Sequence, residues 1–510
     1  MNKLKIYFSI AVLGAMSFTG CKEAIETTAR QSIDIETALN SKENVNAAII
    51  SVYAKLKSAR VYGRDLIAFP EALADNGRFT NRSGRFANEA RNIPLAHFAD
   101  WQNLYYGINE ANLILDAIPS LNVTPAVTTA ERNAWEGQVQ FLRALFYFEL
   151  VRQYAYDPGA VVPSQDRGGV PIITKGVKTL QDAVLTLPTR APIADVYALI
   201  YKDLKDAEAK LGNIGLSPAL ATKQAAQGLL ARAALYNKDY ATAKTYADLV
   251  IASQGSKLLT PSQYVNGWRN KVNPESLFEV TFTINAENIG VNESLQTSFT
   301  TLVVAGNRAQ TGGFGDLVPT NTLLADLGIT VSANGGAAAA ITARNSDVRN
   351  LLFELGTAGR GAPFVECTKY LGKNGFINLD NAVVLRVAEM FLVRAEAQST
   401  TGSPVFDEAA ARTDLIRIKQ NRYTDYATSA QAITDAALTG TSLQNEILKQ
   451  RRIEFAFEGH RFFDLKRLGK NITKTPHYTD LLFTDYRILP NIPAREVDGN
   501  PDRLKQNFGY

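Results

Sequence analysis

A mostly α-helical chain is predicted, with tetratricopeptide-like helix pairs and an irregular, loop-rich middle that holds few short strands. Three observations carry this. Apolar residues recur at helical spacing over most of the chain. Two helix pairs repeat the same small-residue and aromatic offsets. Between the helical parts, at about 255–380, the pattern changes to short alternation and Gly/Ala-rich runs.

Taken in order, Leu39, Val45, Ala48, Ile49, Val52, Tyr53 and Leu56 share one helix face, as do Trp101, Leu104, Tyr105, Ile108, Ala111 and Leu115. A third helix is expected over 130–154, opened by a Thr128/Glu131 capping box. Pro192 opens a fourth, which turns Val196, Ile200, Leu204, Ala207 and Leu211 inward, and Gly212 ends it. Further helices are expected over 222–237, 242–253, 383–399, 407–420 and 443–457. Ala231 and Ala243 lie twelve apart with Tyr240 three before the second; Ala397 and Ala409 repeat the offset with Phe406. Small residues at that spacing let two helices approach closely, with the aromatic filling the turn. In the middle, Phe278, Val280, Phe282 and Ile284 alternate as in a strand over 277–284. Residues 306–315 and 335–343 are Gly/Ala-rich and are expected as loops, where binding residues often sit.

The N-terminus is a targeting segment. Lys3 and Lys5 precede an uncharged apolar stretch, Ile6 to Met16, and Phe18-Thr19-Gly20-Cys21 follows. A small residue before a cysteine is where a bacterial lipoprotein signal is cut and the thiol lipidated, so residues 1–20 are expected to be removed and Cys21 to carry the lipid. The rest, 21–510, is expected as a single domain, because no Pro/Ser linker or low-complexity tract divides it. Lipidation of Cys21 leaves Cys367 alone, so an intrachain disulfide and a cysteine-rich zinc site are excluded. A net charge of +4 over 510 residues argues against broad nucleic-acid binding.

Catalytic patterns are scarce. The three histidines His97, His460 and His477 form no His-Glu-x-x-His, and no Gly-x-Ser-x-Gly elbow occurs. The glycine-rich run 356–361 lacks the Lys-Ser/Thr of a phosphate loop. The densest polar group is Arg451, Arg452, Glu454, Glu458, His460, Arg461 and Asp464, interleaved with Leu448, Phe455, Phe462, Phe463, Leu465 and Leu468. Charges so arranged usually form salt bridges that pin elements together. No catalytic residue, metal site or cofactor is therefore expected.

These residues carry a resemblance. Residues 451–469, with Arg451-Arg-Ile-Glu-Phe-Ala-Phe-Glu-Gly-His-Arg-Phe-Phe-Asp-Leu-Lys-Arg-Leu-Gly469, resemble the C-terminal signature of SusD-like (RagB/SusD) outer-membrane nutrient-binding lipoproteins. Residues 101–112, 141–152 with Gly169-Val-Pro-Ile172, 385–397 and 492–501 are similar to other family motifs in the same order. The resemblance implies a SusD-like fold in which the tetratricopeptide-like helix pairs pack against an irregular, loop-rich side that faces the ligand. It implies a SusC-like TonB-dependent barrel as partner, and capture of an oligosaccharide or a peptide without chemistry. It implies a cell outer-membrane location, lipid-anchored and facing the exterior. The signature motifs hold the scaffold and are not carried over as binding residues.

Two other readings stand beside it: a lipid-anchored tetratricopeptide scaffold that binds another protein, and a hydrolase with spatially paired carboxylates. A sugar-binding side needs aromatic platforms with polar groups nearby. The candidates in irregular segments are Trp268, Tyr264, Phe79, Phe86, Phe299 and Phe314, with Trp268 foremost; Trp101 and Trp135 sit at core spacing. Arg60, Arg64, Arg78, Arg82, Arg85 and Arg91 fall within 32 residues, against Asp65, Glu71, Asp75 and Glu89. If that segment lines the ligand side, it favours a partly anionic ligand; otherwise it is a solvated basic loop or pairs with an acidic rim on the barrel.

Overall fold

The computed structural model describes residues 39–121, 123, 125–212 and 217–510. The signal segment and Cys21 lie outside the described residues. Helices dominate, and each strand belongs to a two-stranded antiparallel sheet. No helix among the described residues is long and apolar enough to cross a membrane.

Most of the expected helices form close to where the periodicity places them, and polar caps set several of their ends. Ser41 accepts from Asn44 N at the start of Lys42–Lys55. Both halves of the Thr128/Glu131 capping box are made at the head of Thr129–Tyr154. Pro192 is the N-cap of Ile193–Leu211 rather than its first residue, and Gly212 ends that helix at φ +56°. Thr222, Asp239 and Asp407 cap Lys223–Tyr236, Tyr240–Gln254 and Glu408–Gln420 through their side chains, each worth about 1 kcal/mol.

These helices pack in succession. Lys42–Lys55 lies on Trp101–Ala117, which lies on Thr129–Tyr154, and that on Ile193–Leu211. Lys223–Tyr236 and Tyr240–Gln254 follow, then Val387–Ser399 against Glu408–Gln420 and Gly440–Glu454. One contiguous apolar core runs through them, with a small satellite of Ala395, Ala411, Leu415, Leu443 and Ile447.

Four expectations need correcting. The helix expected over 383–399 begins at Val387; Ala382–Arg386 is instead strand β8, paired antiparallel with β2, Ser276–Val280. A short apolar run buried on both sides reads alike as helix or strand, and the β-branched Val383 and Val384 fit the strand. The strand expected over 277–284 stops at Val280 and is buried throughout, so its alternation does not mark an exposed face. The small-residue offset holds for Ala231, Ala243 and Ala397, which are buried, but Ala409 and Phe406 are exposed and Ala411 makes the contact instead. The loop expected over 335–343 gives way at Ala340 to β5, Ala340–Arg344, which pairs with β4, Ile329–Ala333.

The irregular side is built from two further sheets. β1, Gly77–Phe79, pairs with β3, Leu317–Pro319; β6, Phe353–Leu355, pairs with β7, Val365–Cys367. β3 packs on β7, which brings the arginine-rich segment after β1 beside the loops at 306–316 and 356–364.

Candidate functional site

The polar group around the C-terminal signature is structural. Glu454, fully buried, takes Arg386 at 2.6 Å, Arg422 at 2.8 Å and Arg349 at 3.1 Å. Burial disfavours its ionisation, yet the guanidiniums of Arg422, Arg386 and Arg349 hold its carboxyl well below the usual carboxylate range. Glu458 takes Arg386 at 2.8 Å and Lys369 at 2.5 Å, and Asp464 takes Arg451 and Arg467, each at 2.9 Å. His460 stacks on Phe455, and burial together with nearby Arg232 and Arg451 keeps it neutral. Gly459 sits at φ +82°, and a Cβ there would strike the Leu66 carbonyl, so the glycine lets the turn lie on the helix Asp65–Leu73. Each charge has a structural partner, as expected for pinning.

The irregular side brings together a different set. Arg82 reaches into the body and gives Nη1 to Glu366 Oε1 at 2.7 Å and to the Phe314 carbonyl at 2.9 Å; its Nη2 goes to the Ala362 carbonyl at 2.9 Å. Glu366 is buried and also accepts from Thr300 Oγ1 at 3.0 Å and Thr301 N at 2.6 Å. Burial raises the Glu366 carboxyl pKa, with Arg82 and Thr301 countering it. Arg85 pairs with Asp316 at 2.6 Å. Three loops thus close on two carboxylates.

Above these pairs, guanidiniums and rings alternate. Arg78 and Arg82 each lie 5.1 Å from the Phe364 ring centre. Arg85 and Arg360 lie 4.9 and 4.2 Å from that of Phe314. Arg91 lies 4.5 Å from Phe79, whose other partner is the stacked Tyr478 ring at 5.7 Å. Tyr478 also accepts from Phe79 N at 3.2 Å, which joins the segment 473–478 to β1. A small cleft lined by Asp75, Gly77, Thr320, Thr322, His477 and Tyr478 opens beside this row.

Of the aromatics expected as platforms, Phe79 and Phe314 are half-buried on this face. Trp268 and Tyr264 are corrected. They lie on a regular helix, Pro261–Arg269, at 3% and 1% exposure, so neither has an open face for a ligand. Pro261 at the first position and the Thr260/Gln263 capping box were the overlooked helix signals. Phe86 and Phe299 are buried too, and Trp101 and Trp135 are core as expected. Phe364, Tyr478, Arg308 and Arg360 were not singled out from the sequence. They join the face through long-range folding, and no local pattern marks them.

Comparison with known proteins agrees with this architecture. Residues 28–235 match a family described as SusD-like, "Starch-binding associating with outer membrane", and residues 364–510 match the SusD family itself. A SusD-like protein of Formosa agariphila is 24% identical over the whole of this chain and 99% of its own; a second from the same organism is 25% identical over the full length of both. A solved SusD superfamily protein of Bacteroides vulgatus superposes with a TM-score of 0.74 at 23% identity, covering 92% of this chain and 99% of its own. One of Bacteroides thetaiotaomicron gives the same values. The family so described is one of non-catalytic binding proteins that associate with the outer membrane. With family matches at both ends and relatives along the whole length, the chain belongs to the SusD-like (RagB/SusD) family.

Proposed function

We propose that this protein is an outer-membrane lipoprotein, anchored through Cys21 and facing the exterior, that captures an oligosaccharide and delivers it to a SusC-like TonB-dependent barrel. The observation that carries the reading is the loop face, where Arg78, Phe79, Phe314, Phe364 and Tyr478 are drawn together from four separate segments. A scaffold alone has no need of aromatic rings and guanidiniums gathered on an open side, whereas a ligand with many hydroxyls needs fixed donors around it. The family's starch-binding description supports a glycan as the ligand. A solved relative with a TM-score of 0.65 is described as a laminarin-binding SusD-like protein.

The test uses the detergent-solubilised full chain, screened against pooled neutral and acidic oligosaccharides and against peptides, with co-purification of the barrel from membranes as a second readout. A glycan retained in proportion to an intact loop face is the expected result. Retention of the barrel with no member of any pool would instead favour a protein-binding scaffold.

A further inference from the structure

We propose that the loop face recognises oxyanions carried along a glycan, the carboxylates of uronic acids or sulfate esters, rather than the bare faces of neutral sugars. This rests on reading that face as the ligand side. A neutral sugar ring needs an uncovered aromatic surface. Phe364 and Phe314 each already carry two guanidiniums within 5.1 Å of the ring centre, and Phe79 carries one guanidinium and the stacked Tyr478 ring. The rings therefore hold guanidinium planes in place, and the groups left to meet a ligand are N–H donors.

Which arginines remain available follows from the ion pairs. Arg82 and Arg85 are committed to Glu366 and Asp316, and Arg60 and Arg64 to Asp65. Among the described residues, Arg78, Arg91, Arg308 and Arg360 have no carboxylate partner. Arg360 and Arg308 give Nε to the Gly313 and Gly356 carbonyls at 3.3 and 3.0 Å, which fixes each side chain but leaves its charge uncompensated. Arg78 Nε is buried with no acceptor among the described residues. The acids just before Arg78 in the sequence are turned elsewhere: Glu71 meets Asn76 and Gly459 N, and Asp75 meets Arg452 and Arg461. Burial and the Arg78 charge both lower the His477 pKa, in keeping with a positive local field.

A planar guanidinium matches carboxylate and sulfate through paired N–H donors, and stacking on a ring limits the rotamer freedom lost when it binds. Because the arginines recur at three ring stations, the face suits a chain with a repeated anionic group.

The experiment is calorimetric titration of the detergent-solubilised full chain with four probes: a uronic-acid oligosaccharide, its carboxyl-reduced form, a sulfated glucan oligosaccharide and its desulfated form. An acidic peptide is titrated in parallel. Binding of one anionic member, about tenfold weaker for its neutralised form and for Arg360→Gln, is the expected result. The arm that binds tells carboxylate from sulfate. Affinity should fall as salt rises from about 0.05 to 0.5 M. Arg360 is exposed, so an unchanged thermal midpoint shows that Arg360→Gln remains folded. Equal, salt-independent binding of the neutral forms overturns the oxyanion preference and leaves the glycan-binding reading intact. Binding of the acidic peptide alone overturns both, as does binding of no probe together with no member of the wider pools.

Discussion

Around Glu454, three arginines share one carboxylate at 2% exposure or less; on the loop face, four arginines lie against rings or carbonyls with no carboxylate partner among the described residues. The residue type is the same and the surroundings differ. A buried guanidinium without a counter-ion would carry a desolvation cost of several kcal/mol, so the interior contains acids matched to it. At a partly wet surface that constraint relaxes, and an aromatic ring can orient the charge while leaving it free to meet something else. Unpaired arginine on a structured face is thus informative in a way that paired arginine in a core is not. Between the two regions lie Arg82–Glu366 and Arg85–Asp316, which fasten the face to the body.

The sharpest way to break the comparison is at Glu454. Glu454→Ala leaves Arg349, Arg386 and Arg422 without their shared carboxylate, and a stability loss of about 3–5 kcal/mol is expected by denaturant unfolding. A loss under about 1 kcal/mol would show the network to be no more than a surface ion pair in strength.

A smaller effect is expected at the fastening. Glu366→Ala removes the acceptor of Arg82, Thr300 and Thr301, with an expected cost of about 2 kcal/mol. Because Arg82 holds the segment that carries Arg78, this variant should also weaken ligand capture. Amide hydrogen exchange should rise in 78–91 and 300–316 and stay unchanged in the helix Gly440–Glu454. Uniform exchange across all three would contradict a local fastening.

A third arrangement is an amine satisfied by carbonyls, and its effect is read in the pH dependence. Lys474 gives Nζ to Ala72 O at 2.9 Å and Ala90 O at 2.7 Å, and holds the Tyr478 segment to the body. Burial lowers its pKa to about 7, with Asp75 opposing. Between that value and the ordinary lysine range the unfolded chain holds a proton that the folded chain lacks, so this group makes stability rise with pH there. Below about 7 both states hold the proton, and its pH dependence ends there. Lys474→Met should flatten the rise in unfolding free energy between about pH 7 and 10, by up to about 1.4 kcal/mol for each pH unit. An unaltered slope would remove Lys474 as its source.

The helical layer was legible in the sequence because its signals are short-range. The Thr128/Glu131 box, the spacing of Val196, Ile200, Leu204 and Ala207, and Gly212 lie within a few turns of what they specify. The signature from Arg451 to Gly469 was likewise readable as interlocked charge, since its apolar residues fix which way the charges point. Tyr264 and Trp268 were misplaced because polar neighbours suggested a turn, while Pro261 and Gln263 made a helix that buries both rings.

The binding face lay beyond such reading. The concentration of arginine from Arg60 to Arg91 was visible, but not which arginines would be neutralised: Arg82 finds Glu366 across 284 positions, and Arg85 finds Asp316 across 231. By itself the sequence determined the helices, their caps and the family, because periodicity and capping act over a few residues. Only the tertiary structure decided which charges are committed and which stay available, because an ion pair depends on distance in space, and the β1–β3 and β6–β7 pairings set that distance between segments far apart in the chain.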